Sequence, residues 1–447
     1  MGRLFGTDGA RGVANTELTC ELAMNIGRAA ALVLAAHSHT RPKILIGKDT
    51  RISSDMLENA LVAGLCSVGA DAVLVGVVPT PATAFLIREL GADAGVMISA
   101  SHNPCEYNGL KLFDRNGYKL PDALEEEIEG IVLDGAREYP VPTGGDLGRV
   151  ILRPDGISIY TEHIISTTDE RFDGMKIALD CANGSASMTA ENLFTRLGAE
   201  CHMLSDQPDG VNINDRCGST HLEQLREFVK AHGCDAGLAF DGDADRCLAV
   251  DHEGNVVDGD RMIAITAMDM KSRGVLKGGT AVMTVMSNLG FFRFAKEQGI
   301  AVKTTKVGDR YVLEEMKKSG YSIGGEQSGH IIFLDYATTG DGQLSGVQLL
   351  SILKRSGKSL KDLASVMEVY PQVLVNVHVT PDIKAAYESD SAVQHAIVNA
   401  QEEMGDSGRV LVRASGTEPL IRVMLEGRDH DQIQRLANQI ARVIEQI

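Results

Sequence analysis

The sequence predicts an α/β protein: three tandem α/β domains with mixed sheets, then a smaller C-terminal α+β domain. Three observations carry this expectation. The 447 residues suffice for about three domains at roughly 150 residues each. A unit of apolar strand, polar turn and amphipathic helix occurs three times. The last eighty or so residues change character.

The first unit runs from Lys43-Ile44-Leu45-Ile46-Gly47 through Lys48-Asp49-Thr50-Arg51 into a helix from about Asp55, where Asp55 and Glu58 have the spacing of a capping box. The second runs from Lys176-Ile177-Ala178-Leu179-Asp180 through Asn183-Gly184 into a helix around Thr189 to Leu197. The third runs from Thr280-Ala281-Val282-Met283-Thr284-Val285 through Ser287-Asn288 into a helix around Leu289 to Gln298. Short strands follow, such as Ala72 to Val77 and Ala301 to Thr304. Strands alternating with helices imply a parallel or mixed sheet covered on both faces. In the tail, Val373 to Val379 is strand-like, Arg409 to Arg413 and Leu420 to Glu426 flank a turn, and a final helix puts Ile433, Leu436, Ile440, Val443 and Ile447 on one face. Turn-rich breaks at 140–145, 251–255 and 356–357 place the domains at 1–150, 151–252, 253–366 and 367–447.

Composition narrows the function classes. Trp is absent and aromatics are 4%, so the cores are expected to be aliphatic. A net charge of −18 argues against nucleic acid or an anionic membrane as partner, because both demand a basic surface. It leaves room for a small anionic substrate in a locally basic pocket. The eight cysteines are scattered with no C-x-x-C pair, which suits reduced thiols in the cytoplasm. The longest apolar run, near Ala29 to Ala36, is too short to span a bilayer and fits a buried helix. The first residues show no apolar signal core, so a cytoplasmic protein is expected.

Four motifs carry chemistry. The apolar stretch Ala94 to Ile98 ends in Ser99-Ala100-Ser101-His102-Asn103-Pro104, which puts hydroxyls and backbone N–H groups at the carboxyl edge of a sheet, where α/β folds bind ligands. Ser101 is the candidate nucleophile, although a serine that merely caps a turn would look the same in isolation. Asp241-Gly242-Asp243-Ala244-Asp245-Arg246 follows a second apolar strand. Like charges ~4 Å apart repel by roughly 1 kcal/mol in water and about 4 at a protein surface, so three carboxylates in one tight loop call for a cation. Hard oxygen ligands suit Mg²⁺. An EF-hand would need Gly and Glu where this loop has Arg246 and His252. A phosphatase with an aspartyl nucleophile also uses D-x-D after a strand and stays open as a rival. Gly324-Gly325-Glu326-Gln327-Ser328-Gly329-His330 is a glycine-flanked loop whose Glu and Ser suit paired sugar hydroxyls. In Arg413-Ala414-Ser415-Gly416-Thr417-Glu418-Pro419-Leu420-Ile421-Arg422, two arginines bracket a turn with free donors, the makings of a phosphate cradle. Together the four motifs point to phosphoryl transfer on a phosphosugar.

With these motifs in this order, the chain resembles the α-D-phosphohexomutase superfamily from end to end. The opening Phe5-Gly6-Thr7-Asp8-Gly9-Ala10-Arg11-Gly12, Gln327 and Val307-Gly308-Asp309-Arg310 resemble the bacterial branch that acts on glucosamine phosphates. The resemblance implies four domains around a central cleft. It implies conversion of glucosamine 6-phosphate to glucosamine 1-phosphate through glucosamine 1,6-bisphosphate, on the route to UDP-N-acetylglucosamine and cell wall. By the same resemblance Ser101 would be a phosphoserine, and one Mg²⁺ per subunit would sit on Asp241, Asp243 and Asp245, with Ser101 as fourth ligand. Lys111 would be the acid/base, supported by His102 and Arg11. Glu326 and Ser328 would hold sugar hydroxyls, with Arg246 and His330 also facing substrate, and Arg413, Ser415, Gly416, Thr417 and Arg422 would grip the phosphate that is not reacting. A homodimer and association with a diadenylate cyclase are further implications. Phosphomannomutase/phosphoglucomutase is the runner-up activity, and a non-catalytic binding protein is the rival from another class.

Overall fold

The computed structural model describes residues 3–6, 8–34, 41–415 and 419–447. Four sheets follow one another along the chain. The first contains β1 (Ala10–Val13), β2 (Lys43–Lys48), β3 (Asp71–Val77), β4 (Ala94–Ile98), β5 (Tyr107–Asp114) and β6 (Val150–Leu152), in the order β1-β5-β4-β2-β3-β6. The second contains β7 (Lys176–Asp180), β8 (Glu200–Leu204), β9 (Ala236–Phe240), β10 (Cys247–Asp251) and β11 (Val256–Val257), in the order β11-β10-β9-β7-β8. The third contains β12 (Thr280–Thr284), β13 (Ala301–Thr305), β14 (Ile323–Gly325) and β15 (Ile331–Phe333), in the order β13-β12-β14-β15. The fourth contains β16 (Gln372–His378), β17 (Gly408–Ala414) and β18 (Leu420–Gly427), in the order β16-β18-β17.

The first three sheets share one topology. A central strand (β2, β7 or β12) has a parallel neighbour on each side. One of those neighbours (β4, β9 or β14) then turns back into an antiparallel strand (β5, β10 or β15). The loops at this bend are 99–106, 241–246 and 326–330. Three of the four motifs singled out in the sequence therefore occupy the same topological position, and the mixed sheets are those expected.

Burial explains the strands. Ile44, Leu45 and Ile46 of β2 and all five residues of β4 are buried, the pattern of a sheet covered on both faces. Ile44 and Ile46 join the core under helices Cys20–Leu34 and Ile52–Ser67. On the opposite face, helix Thr80–Glu89 comes close because Gly47 and Gly95 lack side chains; a Cβ on either would collide with Thr83 or Ile87. Helix Cys20–Leu34 buries Ala29, Ala30, Ala31 and Val33, while Ala35 and Ala36 lie outside the described residues. The expected capping box does not form. The helix begins at Ile52, ahead of Asp55, with no side-chain cap at Arg51. Asp55 and Glu58 instead accept from Lys48 Nζ at 2.7 and 2.5 Å, because the early start turns them toward the end of β2. Among the described residues, no helix is long and apolar enough to cross a membrane.

The chain divides into two compact units, Met1–Met286 with Gly299–Val366, and Ser287–Gln298 with Met367–Ile447. In the second, the antiparallel sheet is backed by helices Ser391–Met404 and His430–Ile444 over a core that includes Val377, Ile421, Val423, Ile433, Leu436 and Ile440. Val443 and Ile447, expected on the same face, pack at its margin. Helix Leu289–Glu297 follows β12 in the chain yet belongs to this unit. The buried Glu426 carboxylate on β18 ties it there, accepting from Leu289 N at 3.1 Å and Asn288 Nδ2 at 3.2 Å and pairing with Arg409 at 2.6 Å. Glu426→Ala, which strands these donors, is expected to destabilise the unit by about 2–3 kcal/mol. Chemical denaturation with hydrogen exchange read at β18 checks this; unchanged exchange would remove Glu426 from the account.

Candidate active site

β4 delivers the serine loop. Ser101 is 1% exposed and adopts a left-handed backbone with φ of +53°, a conformation that non-glycine residues keep only when the surroundings impose it. The surroundings here are specific. Arg51 Nη2 donates to the carbonyls of Ser101 (3.1 Å) and Asn103 (2.6 Å), and Asn214 Nδ2 donates to the same two at 2.9 and 3.0 Å. Arg51 is itself buried in an ion pair with Asp49. Ser101 N donates to Ser99 Oγ at 2.9 Å. Neither Arg51 nor Asn214 stood out in the sequence. One signal was available: an arginine heading a helix opposes the helix dipole, so it needs another duty.

Ser101 Oγ donates to Asp241 Oδ2 at 2.7 Å. The close approach requires Gly242, where a Cβ would lie 2.6 Å from the Ser101 carbonyl. Asp241, Asp243 and Asp245 are all buried, and each offers an oxygen within 4.8 Å of the others. The protein answers this charge from several sides. Asp243 Oδ2 receives Lys111 Nζ and Thr80 Oγ1, both at 2.5 Å, and the Asp243 carbonyl accepts from Thr80 N at 2.9 Å, at the head of helix Thr80–Glu89. Lys111 also lies 3.6 Å from Asp245. Arg246 N donates to Asp241 Oδ1 at 3.2 Å, and Gly342 N, opening helix Gly342–Ser356, donates to the Ala244 carbonyl at 3.0 Å. The answer is incomplete. Burial, with Asp245 and Asp243 alongside, pushes the Asp241 carboxyl up to about 8, and Asp243 Oδ1 and Asp245 Oδ1 are buried without a hydrogen-bond partner. Orphaned hard oxygens amid uncompensated negative charge fit a divalent cation.

The remaining candidates of this unit surround the pair. His102 Nδ1 lies 3.4 Å from Ser101 Oγ and accepts from Arg246 Nη1 at 3.2 Å. Burial, followed by the Arg246 and Arg11 charges, brings its pKa down to about 4, so the ring is neutral near pH 7. Lys111, 1% exposed, keeps its proton: burial opposes the charge, but Asp243 and Asp245 outweigh it and raise the pKa. His330 accepts from Gly340 N through Nε2 at 3.0 Å, which leaves its proton on Nδ1, facing Asp245 Oδ2 at 3.6 Å. Glu326 Oε1 accepts from Gly308 N at 3.1 Å, and Gln327 Nε2 donates to Asp258 at 3.2 Å. Ser328 is exposed at the tip of the same loop. Arg11, on β1, pairs with Asp8 at 2.8 Å.

In the second unit, Arg413 and Arg422 stand directly opposite each other on β17 and β18. Burial and the Arg422 charge both lower the Arg413 pKa. Like charges in such a pair are destabilising and suit an anion that bridges them. Ser415 is buried, its N–H donating to the Leu420 carbonyl at 2.9 Å. Gly416 and Thr417 lie outside the described residues.

Comparison with known proteins agrees with this layout. Four regions match the phosphoglucomutase/phosphomannomutase family: its alpha/beta/alpha domain I over residues 2–138, domain II over 158–254, domain III over 258–370 and the C-terminal domain over 374–443. The chain belongs to this family and is a phosphomutase, an isomerase that moves a phosphoryl group. Among its relatives is the phosphoglucosamine mutase of Clostridium novyi (strain NT), 56% identical over 446 residues, which span 100% of this chain and 99% of the relative. The phosphoglucosamine mutase of Caldanaerobacter subterraneus subsp. tengcongensis is 57% identical over 448 residues, with the same coverage. The crystal structure of a phosphoglucomutase/phosphomannomutase family protein from Burkholderia thailandensis superposes with a TM-score of 0.84 at 25% identity, covering 99% of this chain and 97% of that one.

Two outcomes are expected at this site. Asp245→Asn should weaken Mn²⁺ binding, read by electron paramagnetic resonance, by about 10–100-fold. Arg51→Met should lower the rate of Ser101 phosphorylation by about 100-fold with a much smaller loss of Mn²⁺ affinity, since it loosens the serine and leaves the three carboxylates in place. Mass spectrometry against time measures it.

Proposed function

We propose that the chain is a phosphoglucosamine mutase, interconverting glucosamine 6-phosphate and glucosamine 1-phosphate through a phosphorylated Ser101 and glucosamine 1,6-bisphosphate. The observation that carries the reading is the contact of Ser101 Oγ with a buried triad in which Asp243 Oδ1 and Asp245 Oδ1 have no hydrogen-bond partner. Full-length relatives named phosphoglucosamine mutase support the choice of sugar. A cytoplasmic place on the route to UDP-N-acetylglucosamine follows from that choice.

The roles follow from position. Asp241, Asp243 and Asp245 would hold Mg²⁺ together with an oxygen on Ser101, and the ion would neutralise charge on the transferring phosphoryl group. Phosphoserine 101 donates its phosphoryl group to the free sugar hydroxyl: the bond from phosphorus to the serine oxygen breaks as the bond to the sugar oxygen forms. Lys111, charged and buried beside the triad, is the acid/base: it gives its proton to the departing serine oxygen and regains one from the sugar hydroxyl that takes the phosphoryl group, with the two transfers exchanged in the reverse direction. Neutral His102, beside Ser101, and Arg11 support the phosphoryl group, and Arg246 adds charge beside them. The bisphosphate then reorients and returns its other phosphate to Ser101. Glu326 and Ser328 hold sugar hydroxyls, and His330 faces the substrate with them. Arg413, Ser415, Gly416, Thr417 and Arg422 grip the phosphate that is not reacting, in either orientation.

The test is an assay with Mg²⁺ and a trace of glucosamine 1,6-bisphosphate, offering glucosamine, mannose and glucose 6-phosphates in parallel. Rapid formation of glucosamine 1-phosphate with slow turnover of the others is expected. Preference for mannose or glucose would overturn the sugar and keep the mechanism, whereas free phosphate without isomerisation would favour a phosphatase. Ser101→Ala should retain the fold, carry no phosphate by intact mass and lose at least about 10⁴-fold in kcat. Near-normal turnover in that variant would end the phosphoserine assignment.

A further inference from the structure

Lys119 lies beyond the turn after β5, bridged to Phe113, in none of the four motifs. Its side chain is 13% exposed and meets carboxylates from two distant segments, Asp8 Oδ1 at 2.5 Å and Asp309 Oδ2 at 2.6 Å. Each carboxylate has a second contact. Asp8 Oδ2 pairs with Arg11 Nη2 at 2.8 Å. Asp309 Oδ2 lies 3.5 Å from His330 Nε2, while the adjacent Gly308 N donates to Glu326 Oε1 at 3.1 Å. Glu326 and His330 are the two ends of loop 326–330, and the turn at Gly308 and Asp309 touches both. The neighbouring Arg310 is taken up by Asp122 and Glu314, so among the described residues Lys119 is the cation that meets Asp309. Farther in, His330 Nδ1 faces Asp245 Oδ2 at 3.6 Å, and Lys111 lies 3.6 Å from Asp245 and bonds Asp243 at 2.5 Å.

From this juxtaposition we infer that Lys119 is a positioning residue which, through Asp309 and the adjacent Gly308 N–H, holds the Glu326 end of the sugar-binding loop in register for the substrate. The inference rests on the proposed function, because it takes loop 326–330 as the sugar site. Its physical content is a chain of two links. Without the Lys119 ammonium, Asp309 loses its cation on the side away from His330, and the turn carrying Gly308 N–H is left to the Arg310–Asp122 pair alone and loosens. Glu326 then loses the fixed donor that orients its carboxylate. The serine loop and the triad loop have their own anchors in Arg51, Asn214, Lys111 and Thr80, and Asp8 keeps its pair with Arg11, so they stay in place. The consequence is selective: sugar recognition weakens while the phosphoryl chemistry continues.

The experiment compares wild type with K119M, K119R, D309N and the K119M/D309N double variant. K119M and D309N are each expected to raise KM for glucosamine 6-phosphate by about tenfold with kcat within about threefold. The double variant should be no worse than the worse single, because both remove one link. K119R should return KM to within about threefold of wild type, since a cation is restored. Phosphoserine content by intact mass should be equal in all five proteins. A KM within about twofold of wild type in both single variants would overturn the inference, as would losses that multiply in the double or fall on kcat alone. If K119M fails to fold, D309N and K119R carry the same test. Hydrogen exchange gives a readout that needs no substrate: faster exchange in D309N at residues 307–310 and 326–330, with 99–106 unchanged, is expected, and protection unchanged in all three would overturn the inference. A wild type silent on every sugar phosphate would instead overturn the proposed function, with the exchange result still deciding the role of Lys119.

Discussion

Three carboxylates share one buried loop, and much of the first unit is arranged around their repulsion. Asp241, Asp243 and Asp245 could not lie within 4.8 Å of one another in a low-dielectric interior unless opposite charge and hydrogen-bond donors surrounded them. The donors come from every direction: the Ser101 hydroxyl, the Lys111 ammonium, the Thr80 hydroxyl and the backbone of Arg246. The first three belong to elements outside the loop, which therefore acts as a junction. The same demand leaves two oxygens unsatisfied, and this makes the loop a cation site as well as a structural centre. The nucleophile is placed by the contact that relieves part of the charge.

The second organising fact is topological. Loops 99–106, 241–246 and 326–330 each join the last parallel strand of a sheet to the antiparallel strand that follows. A bend of this kind leaves backbone donors and short side chains at the sheet edge without a ladder partner, free to meet something else. Repeating the sheet three times produces three such edges. The sequences have diverged to a nucleophile, a cation loop and a sugar loop, while the backbone context has not. Within this unit, Asn214 reaching the Ser101 carbonyl and Gly242 lying against it show how closely the first two edges meet.

Local sequence rules failed where distant partners competed. Asp55 and Glu58 have capping-box spacing, but Lys48 takes both carboxylates and the helix starts earlier, at Ile52. Helix Leu289–Glu297 follows β12 in the expected strand-turn-helix order, yet the buried Glu426 draws it into the second unit. Arg51 read as one polar residue of a turn and is a buried staple of the serine loop. In the first two cases a charge from outside the turn outweighed a local preference worth about 1 kcal/mol.

The sequence by itself determined the α/β repeats, the aliphatic cores and the identity of the reactive groups, because these depend on periodicity and on residue types a few positions apart. Ser101, the three aspartates, the loop from Glu326 to His330 and the paired arginines were all legible as motifs. Only the tertiary structure decided which of them meet. It brought Ser101 to Asp241 across 140 positions, Lys111 to Asp243 across 132, and Lys119 to Asp309 across 190. Such pairings arise from strand order and sheet twist, which leave no local pattern to read. The charge states that chemistry needs, a neutral His102 and a protonated Lys111, likewise exist only after burial brings these distant groups together.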